Sequence, residues 1–288
     1  MSNVIDFDTI GITNDVMFGT VFRDKEKCKE LLERILGLTI SELTIVEAQK
    51  TMKSTFLGKG IRIDVYAKDM EGNAYDIEMQ MTKEQVLHLR SRYYHSEMDS
   101  YQIRAGQKYK DLKQSLVIFV CAFDPFDDNR SIYTFETVCR ENPELVLEDK
   151  RKTFFINILG DRTGVNEKTV NLLDYFKTGK PTDEFTGGLQ KRVQEFRSDD
   201  EWRANYMTME MKMDERFEDG KKVGQKLGEE IGQKRGKAES VLELLEEYGT
   251  ISEELRTRVM EEKDLDTLKK WLKLAGKVDS IEEFASRM

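Results

Sequence analysis

The sequence has few of the residues that form disulfides and transition-metal sites. Its 288 residues include three cysteines, Cys28, Cys121 and Cys139, and none of them is spaced as a zinc ligand or as part of a disulfide framework. The two histidines, His88 and His95, lie on one predicted helix at a separation of about 10 Å, which is too long for a shared ion. We therefore predict core cysteines in a reducing compartment and histidines that are helix-surface or structural residues.

Long apolar runs are also missing. No stretch approaches the roughly 20 apolar residues that a membrane helix needs, and residues 4–8 are too short and too acidic for a signal peptide. We expect a cytoplasmic protein with no membrane partner. The net charge of −9 is unusual for a nucleic-acid binder. However, residues 82–114 hold seven basic and four acidic side chains, and seven minus four gives a local charge of +3.

Two runs of alternating apolar and polar residues, 61–66 and 75–81, indicate a β-hairpin. Period-two alternation is typical of half-buried strands. A three-residue loop at 70–72 would place Gly72 in the left-handed conformation that closes such a turn. With this loop, Val65 faces Ile77 in the predicted register.

The same register places Asp64 opposite Glu78 and Arg62 opposite Gln80, with the apolar residues of both strands on the other face. Directly opposite Cβ atoms are about 5 Å apart, so two carboxylates there repel each other. A divalent cation between them would convert the repulsion into binding, and paired carboxylates favour a hard ion such as Mg²⁺. The alternative is a solvated hairpin face, since acidic pairs are ordinary on exposed strands.

Helix and strand signals alternate through residues 1–200, which we predict to be one α/β domain with a mixed sheet flanked by helices. The helices are predicted to begin after an N-cap in the segment Thr13-Asn14-Asp15, after the N-cap Asp24 and at a capping box formed by Thr82 and Gln85. The last one is predicted to end near Ala105. Strands are predicted at 43–53, 115–121, 132–139 and 153–158, and the continuous apolar run of 115–121 suits a strand buried on both faces.

Glycine recurs every four residues from Gly220 to Gly236 in a strongly charged segment. Each interior glycine costs a helix about 1 kcal/mol relative to alanine. Two interpretations stay open: a small-residue stripe that lets two helices approach, in a homodimer or against the core, or a pliable linker helix. We assign 201–237 as this charged helical linker and 238–288 as a small all-α extension with Trp271 in its core.

Four blocks of the sequence match motifs of one known family. They are Thr13-Asn14-Asp15 with Phe18 and Phe22 (NDxxF…F), Asp64 through Gly72 to Ile77-Glu78-Met79-Gln80 (D…DxxG…IExQ), Arg90 through Tyr94 with Gln102, Gly106 and Tyr109 (RxxYY…Q…GxxY), and the glycine-punctuated helix with the tail around Leu265 to Phe284. The chain thereby resembles the PD-(D/E)XK nuclease family transposases, the Rpn or recombination-promoting nuclease group, over nearly its whole length.

This resemblance implies a restriction-endonuclease-like fold and Mg²⁺-dependent cleavage of DNA, with Mn²⁺ as a substitute. The metal ligands would be the carboxylates of Asp64 and Glu78 and the backbone carbonyl of Met79. Gln80 would orient the attacking water by hydrogen bonding, because a neutral amide supplies no charge. Asp15 would add an acidic ligand, with Glu47 as the competing candidate.

The long helix would supply the phosphate and DNA contacts, from Arg90, Arg92 and Gln102. For Arg90 the alternative is an ion pair that orders Glu78 or Asp76. The chain departs from the family at Gly19, where a lysine is common, and it carries Gln80 at the lysine position of the wider superfamily motif. The second hypothesis is therefore a catalytically inactive nuclease fold that binds DNA or a protein.

Overall fold

The computed structural model describes residues 5–53, 59–103 and 105–288. Val4 and Arg104, which belong to the acidic opening segment and to the basic segment, lie outside the described residues. The chain divides into two compact units, Met1–Met207 and Thr208–Met288. The three-part division at residues 200 and 237 stays a prediction.

Six strands form one mixed sheet in the first unit. They are β1 (Leu43–Met52), β2 (Ile61–Asp69), β3 (Ala74–Gln80), β4 (Ser115–Cys121), β5 (Ile132–Phe135) and β6 (Arg151–Asn157). The order across the sheet is β1-β2-β3-β4-β6-β5. β4 runs parallel to both β3 and β6, and the other neighbours are antiparallel. Every residue of β3 and β4 is buried, which confirms the prediction for β4.

Helices cover both faces of this sheet. They are α1 (Asp15–Phe22), α2 (Lys25–Leu36), α3 (Leu87–Gln102), α4 (Glu167–Thr178), α5 (Glu184–Ser198) and the start of α6 (Asp200–Glu246). One core lies between the sheet and α1, α2, α4 and α5, and a second lies between the sheet and α3. Asp24 caps α2 as predicted, and within the predicted segment Thr13-Asn14-Asp15 it is Asn14 whose side chain caps α1. The α/β class with a mixed, helix-flanked sheet is confirmed.

Several predicted boundaries are wrong. Thr82 and Gln85 form no capping box, because α3 begins only at Leu87 and its N-cap residue makes no side-chain hydrogen bond. The helix ends at Gln102 instead of near Ala105. β5 is the edge strand of the sheet and stops at Phe135. Beyond it Val138 forms an isolated antiparallel bridge with Val146 instead of continuing the strand.

The apolar side chains of β2 do not all lie on one face, as the alternation predicts. Ile61 and Ile63 pack against the α3 side, whereas Val65 packs on the opposite side. The change of face occurs at Asp64. The residue of β1 in register with it is Gln49, whose φ of 53° is left-handed. A left-handed residue breaks the regular alternation of a strand, so the outer end of β1 and β2 turns over the α3 face.

Two of the three cysteines lie in the core as predicted, and the reducing compartment stays a prediction. Cys28 and Cys121 are buried thiols, but Cys139 is only half-buried and is not a core residue. His95 is 2% exposed and lies between the hydroxyls of Ser115 and Thr153, at 2.8 and 3.0 Å. Burial lowers the pKa of His95 to about 3, so this residue is a neutral structural element.

The second unit contains the rest of α6 followed by α7 (Glu253–Met260), α8 (Leu265–Ala275) and α9 (Ile281–Arg287). These helices enclose a small core in which Trp271 is 8% exposed, as predicted. In α6, residues 211–231 are all exposed. A Cβ built on any of the five glycines from Gly220 to Gly236 meets no atom within 4 Å. Both interpretations of this segment stay predictions. No described helix is long and apolar enough to cross a membrane.

Candidate active site

The predicted hairpin register is present at the base of the site. The turn between β2 and β3 is closed by Gly72 at φ 88°, and the N–H of Asp69 donates to the carbonyl of Asn73. Val65 pairs with Ile77, as predicted, and this is the last backbone pair that joins the two strands. Asp64 and Glu78 are next in the register.

Beyond the pair of Val65 and Ile77, hydrogen bonds from side chains replace the backbone hydrogen bonds between β2 and β3. The Asp64 carboxylate accepts the backbone N–H of Met79 at 3.0 Å, and the Glu78 carboxylate accepts the backbone N–H of Asp64 at 3.2 Å. Each carboxylate thus binds the opposite strand. Asp64 is 7% exposed and Glu78 2% exposed, so the solvated-face alternative fails and the acidic pair is buried. Two anions at this depth require a counter-charge or protons.

Arg90 on α3 supplies one positive charge to this pair. Its guanidinium donates to Glu78 at 2.9 Å and to the amide oxygen of Gln80 at 3.1 Å. Further donations reach Glu84 at 3.1 Å and the hydroxyl of Tyr94 at 2.9 Å. The Gln80 amide nitrogen in turn donates to Glu78 at 3.3 Å. Of the two roles considered for Arg90, the ion pair with Glu78 is therefore present.

Asp76 is a third carboxylate, which the sequence-based site omitted. It lies two residues before Glu78 on the same face of β3, is 0% exposed, and neither of its oxygens has a hydrogen-bond partner among the described residues. Its even spacing with Glu78 and Gln80 was visible in the sequence. What the alternation did not show is that β4 and α3 bury this face completely.

The three carboxylates share one direction of pKa shift. Burial raises the pKa of Asp64 to about 6, and the charge of Asp15 adds to the rise. Burial also raises the pKa of Asp76 and Glu78 well above their ordinary values, and the neighbouring carboxylates add to both shifts. Arg90 opposes the shift at all three positions. The site is therefore short of positive charge at neutral pH.

Asp15 acts electrostatically on the acidic pair. It begins α1, its charge acts on Asp64, and it stands 3.6 Å from Arg62. Glu47 instead forms an ion pair with Lys50 at 2.9 Å and is half exposed.

Gly19 and Gln49 are two more neighbours of Asp64 that the site prediction did not include. A Cβ on Gly19 would lie 3.2 Å from the Asp64 carbonyl oxygen and 3.4 Å from the Gln49 amide nitrogen. Both polar atoms of the Gln49 side chain are buried and lack a partner among the described residues. No periodic signal marks a left-handed glutamine, so this feature could not be found from the sequence.

The structure does not bring Gln102 or Arg92 to the carboxylates. Gln102 lies twelve residues after Arg90, about 18 Å along the helix, and its amide oxygen accepts the backbone N–H of Lys113. Arg92 is exposed and, two positions from Arg90, points to another side of α3. It lines a cavity of about 270 Å³ with His95 and Arg151.

The donor set suits a hard divalent cation. Asp64 and Glu78 provide buried carboxylate oxygens, and the unpartnered oxygens of Asp76 lie beside them. Among the described residues, no group of three or more His, Cys, Asp or Glu side chains is arranged to hold one metal ion. Two carboxylates are thus the most that these side chains offer one ion. Mg²⁺ commonly uses one or two carboxylates and completes its shell with water and phosphate oxygens.

Comparison with known proteins agrees with this geometry. The family described as PD-(D/E)XK nuclease family transposase matches residues 13–223, which is more than half of the chain and includes every residue of the site. Searches of curated proteins and of solved structures gave no match. The matched region carries the mixed sheet, the paired carboxylates and the helix with Arg90. The chain therefore belongs to the PD-(D/E)XK nuclease family transposases.

Proposed function

We propose that the chain is a metal-dependent DNA endonuclease that hydrolyses phosphodiester bonds, with a transposase-like, recombination-promoting role. The observation that carries the proposal is the buried pair formed by Asp64 and Glu78 at the point where the hairpin ladder ends. A structural role explains such a pair poorly, because buried like charges destabilise a fold. Binding of a cation gives the pair a reason to be there.

Asp64, Glu78 and the Met79 carbonyl would hold Mg²⁺ or Mn²⁺. Bound there, the ion would polarise the scissile phosphate and lower the pKa of a bound water. Asp15 would add negative charge from α1, since its charge already acts on Asp64. Its carboxylate also lies 3.6 Å from the guanidinium of Arg62 on β2.

Arg90 would bind either Glu78 or DNA. In the protein alone it neutralises Glu78 at 2.9 Å. A cation bound by Glu78 would weaken that ion pair and leave the guanidinium available for a phosphate oxygen, which it binds well through paired donors. The side chain is about a quarter exposed, so this exchange needs no opening of the core.

Gln80 would orient the attacking water. Its amide nitrogen is held by Glu78, and its amide oxygen accepts from Arg90 at 3.1 Å. When Arg90 turns to phosphate, that oxygen becomes free to accept a hydrogen bond from the water. The amide positions the water and does not take its proton. Arg92 would contact the DNA backbone away from the reacting phosphate. Gln102 would not contact the reacting phosphate.

A second candidate function is a catalytically inactive nuclease fold that binds DNA or a protein. The existing hydrogen bonds of Glu78 favour this candidate, because Arg90 and the Asp64 N–H already donate to the carboxylate that would bind the metal. The neutral Gln80 and the net charge of −9 point the same way. This candidate predicts DNA retention without metal-dependent cleavage, or no DNA binding.

The test is incubation of the purified chain with supercoiled plasmid and Mg²⁺ or Mn²⁺. We expect nicking by the wild type and a loss of at least a hundredfold in Asp64→Ala and in Glu78→Ala. Glu195→Gln, an exposed acid of α5, is the matched control and should cut normally. Equal nicking by the wild type and both alanine variants would reject the assignment. DNA retention without nicking would favour the binding module.

We also propose that a second copy of the chain is a partner through the Gly220–Gly236 segment of α6. The segment is helical and its glycines meet no atom within 4 Å. An exposed helix with several glycines is marginal in water, so a partner helix would stabilise it.

A further inference from the structure

The glycines of α6 do not form one stripe by themselves. At a spacing of four residues, successive side chains drift by about 40° around an α-helix. Gly220 and Gly236 therefore lie on very different sides of the helix, although Gly220 and Gly224 remain close together. A different set of residues shares the face of these two glycines.

An apolar face runs along the exposed part of α6 and includes Gly220 and Gly224. Its large members are Met213, Phe217, Leu227 and Ile231, which are 41%, 70%, 55% and 56% exposed. Alternating steps of four and three residues keep all six within an arc of about 80°. This is the spacing of a helix seam that packs against another helix. We call the six residues the α6 seam.

The α6 seam is symmetric about position 222. Gly220 and Gly224 lie two residues from that position, Phe217 and Leu227 lie five, and Met213 and Ile231 lie nine. When a helix pairs with an antiparallel copy of itself, a residue before the centre meets the equivalent residue after it. The seam would therefore place large residues against large ones at both ends and glycine against glycine in the middle.

The charged residues beside the α6 seam also favour an antiparallel pair. Arg216 and Glu230 are exposed, and neither has an ion pair among the described residues. In an antiparallel pair Arg216 of one copy flanks Glu230 of the other, twice by symmetry. In a parallel pair Arg216 would instead flank Lys221, a like-charge contact. Flanking charges of this kind set the orientation of paired helices.

From these observations we propose that two copies of this chain associate through the α6 seam as antiparallel helices, with the twofold axis near position 222. The glycine pair at the centre lets the two backbones approach closely, and the seam buries four large apolar side chains from each copy. The unfavourable contact is Lys221 against its symmetry mate beside the axis. The dimer does not depend on the proposed nuclease activity.

Sedimentation equilibrium of the full chain, over a range of micromolar concentrations, tests the association. The wild type should show a reversible monomer–dimer equilibrium. Phe217→Glu and Leu227→Glu should each weaken it at least tenfold. Met211→Glu is the matched control, because Met211 is 65% exposed but faces the opposite side of α6. A wild type that is monomeric at every concentration, or equal weakening by Met211→Glu, overturns the proposal.

A charge exchange tests the direction. Arg216→Glu and Glu230→Arg should each weaken the dimer, and the double variant should restore it, because the pair is re-formed with its charges exchanged. Lys221→Gln should tighten the dimer by removing the like-charge contact. A parallel dimer gives the opposite result for Arg216→Glu, which would then face Lys221 and tighten association. That outcome overturns the antiparallel arrangement. Circular dichroism of each variant checks that α6 remains helical.

Discussion

Gly19 on α1 lies directly against the backbone carbonyl of Asp64, and a Cβ at residue 19 would stand 3.2 Å from that oxygen. The missing side chain lets α1 approach the strand that carries the candidate metal ligand. It also gives a structural reason for the absence of a lysine at this position, since any larger residue would push against the backbone of Asp64.

Gly19→Ala should impair cleavage more than it impairs folding. Alanine favours the helix by about 1 kcal/mol, and the contact with the Asp64 carbonyl offsets that gain. We expect an unfolding free energy within about 1 kcal/mol of the wild type and cleavage lowered about tenfold, a barrier increase of about 1.4 kcal/mol. Denaturant unfolding and plasmid nicking measure the two effects.

Gly188→Ala provides the comparison for that variant. Gly188 is also a helical glycine, in α5, but a Cβ there meets no atom within 4 Å. This variant should be more stable by about 1 kcal/mol and should cut normally. If Gly19→Ala behaves in the same way, the contact with Asp64 does not matter for the site.

The stability of the metal-free protein should fall as the pH rises. The pKa of Asp64 is raised from 3.8 to about 6 by burial, so the folded state holds its proton more tightly than the unfolded state. The stability that this proton provides is complete below pH 3.8 and is lost as the pH rises through about 6. A shift of this size corresponds to about 2–3 kcal/mol. Thermal unfolding in a chelator across this range measures it.

Two additions make the pH experiment specific. Asp64→Asn should flatten the fall, because one of the groups responsible no longer titrates. Mg²⁺ should stabilise the wild type more at pH 7.5 than at pH 4.5, as a ligand that binds ionised carboxylates must. A wild-type curve that rises over this interval would contradict the assigned direction of the pKa shift.

Asp76→Asn should stabilise the metal-free protein at neutral pH. The wild-type carboxylate is fully buried, has no hydrogen-bond partner among the described residues, and lies beside two other acids. Replacing it with a neutral group of the same size should raise the unfolding free energy by roughly 1–3 kcal/mol. At pH 4.5 the gain should be smaller, since protonation already neutralises part of this site. Chemical denaturation at both pH values checks this.

The exposed residue Asp266 offers a control for that substitution. Asp266→Asn loses only a surface ion pair with Lys269, so its stability should change by less than about 1 kcal/mol. If Asp76→Asn were instead destabilising at neutral pH, Asp76 would have a partner that its surroundings do not reveal.

Arg90→Gln should separate the counter-charge role of Arg90 from its proposed phosphate role. Loss of the guanidinium leaves Glu78 buried without its ion pair, which should cost about 2–3 kcal/mol of stability for a partly exposed pair. Mg²⁺ should bind several times more tightly, because a competing cation is gone, while cleavage falls. Titration calorimetry and plasmid nicking report the two effects. Unchanged Mg²⁺ affinity would show that Arg90 does not compete for Glu78.

Local chemistry explains which parts of the site were predictable. The hairpin register follows from Gly72, whose left-handed conformation closes a turn of defined length, so the opposition of Asp64 and Glu78 could be derived from a few neighbouring residues. The continuous apolar run of β4 likewise predicted a fully buried strand. In both cases the deciding interactions lie within the segment itself or beside it.

Long-range packing decided the rest. The burial of Asp76 depends on β4 and α3, and the contacts of Arg90 depend on where α3 begins, four residues later than the capping pattern of Thr82 suggested. The left-handed Gln49 lies against Gly19 of α1, which is 30 residues away in the sequence. Periodicity carries no information about such contacts between distant segments.

The isolated carboxylate of Asp76 also separates what the site needs from what the fold needs. It gives the fold no hydrogen bond among the described residues, whereas it adds an acidic group beside Asp64 and Glu78. A neutral side chain of the same shape at position 76 would therefore fill the same space while taking one acid away from any cation held there.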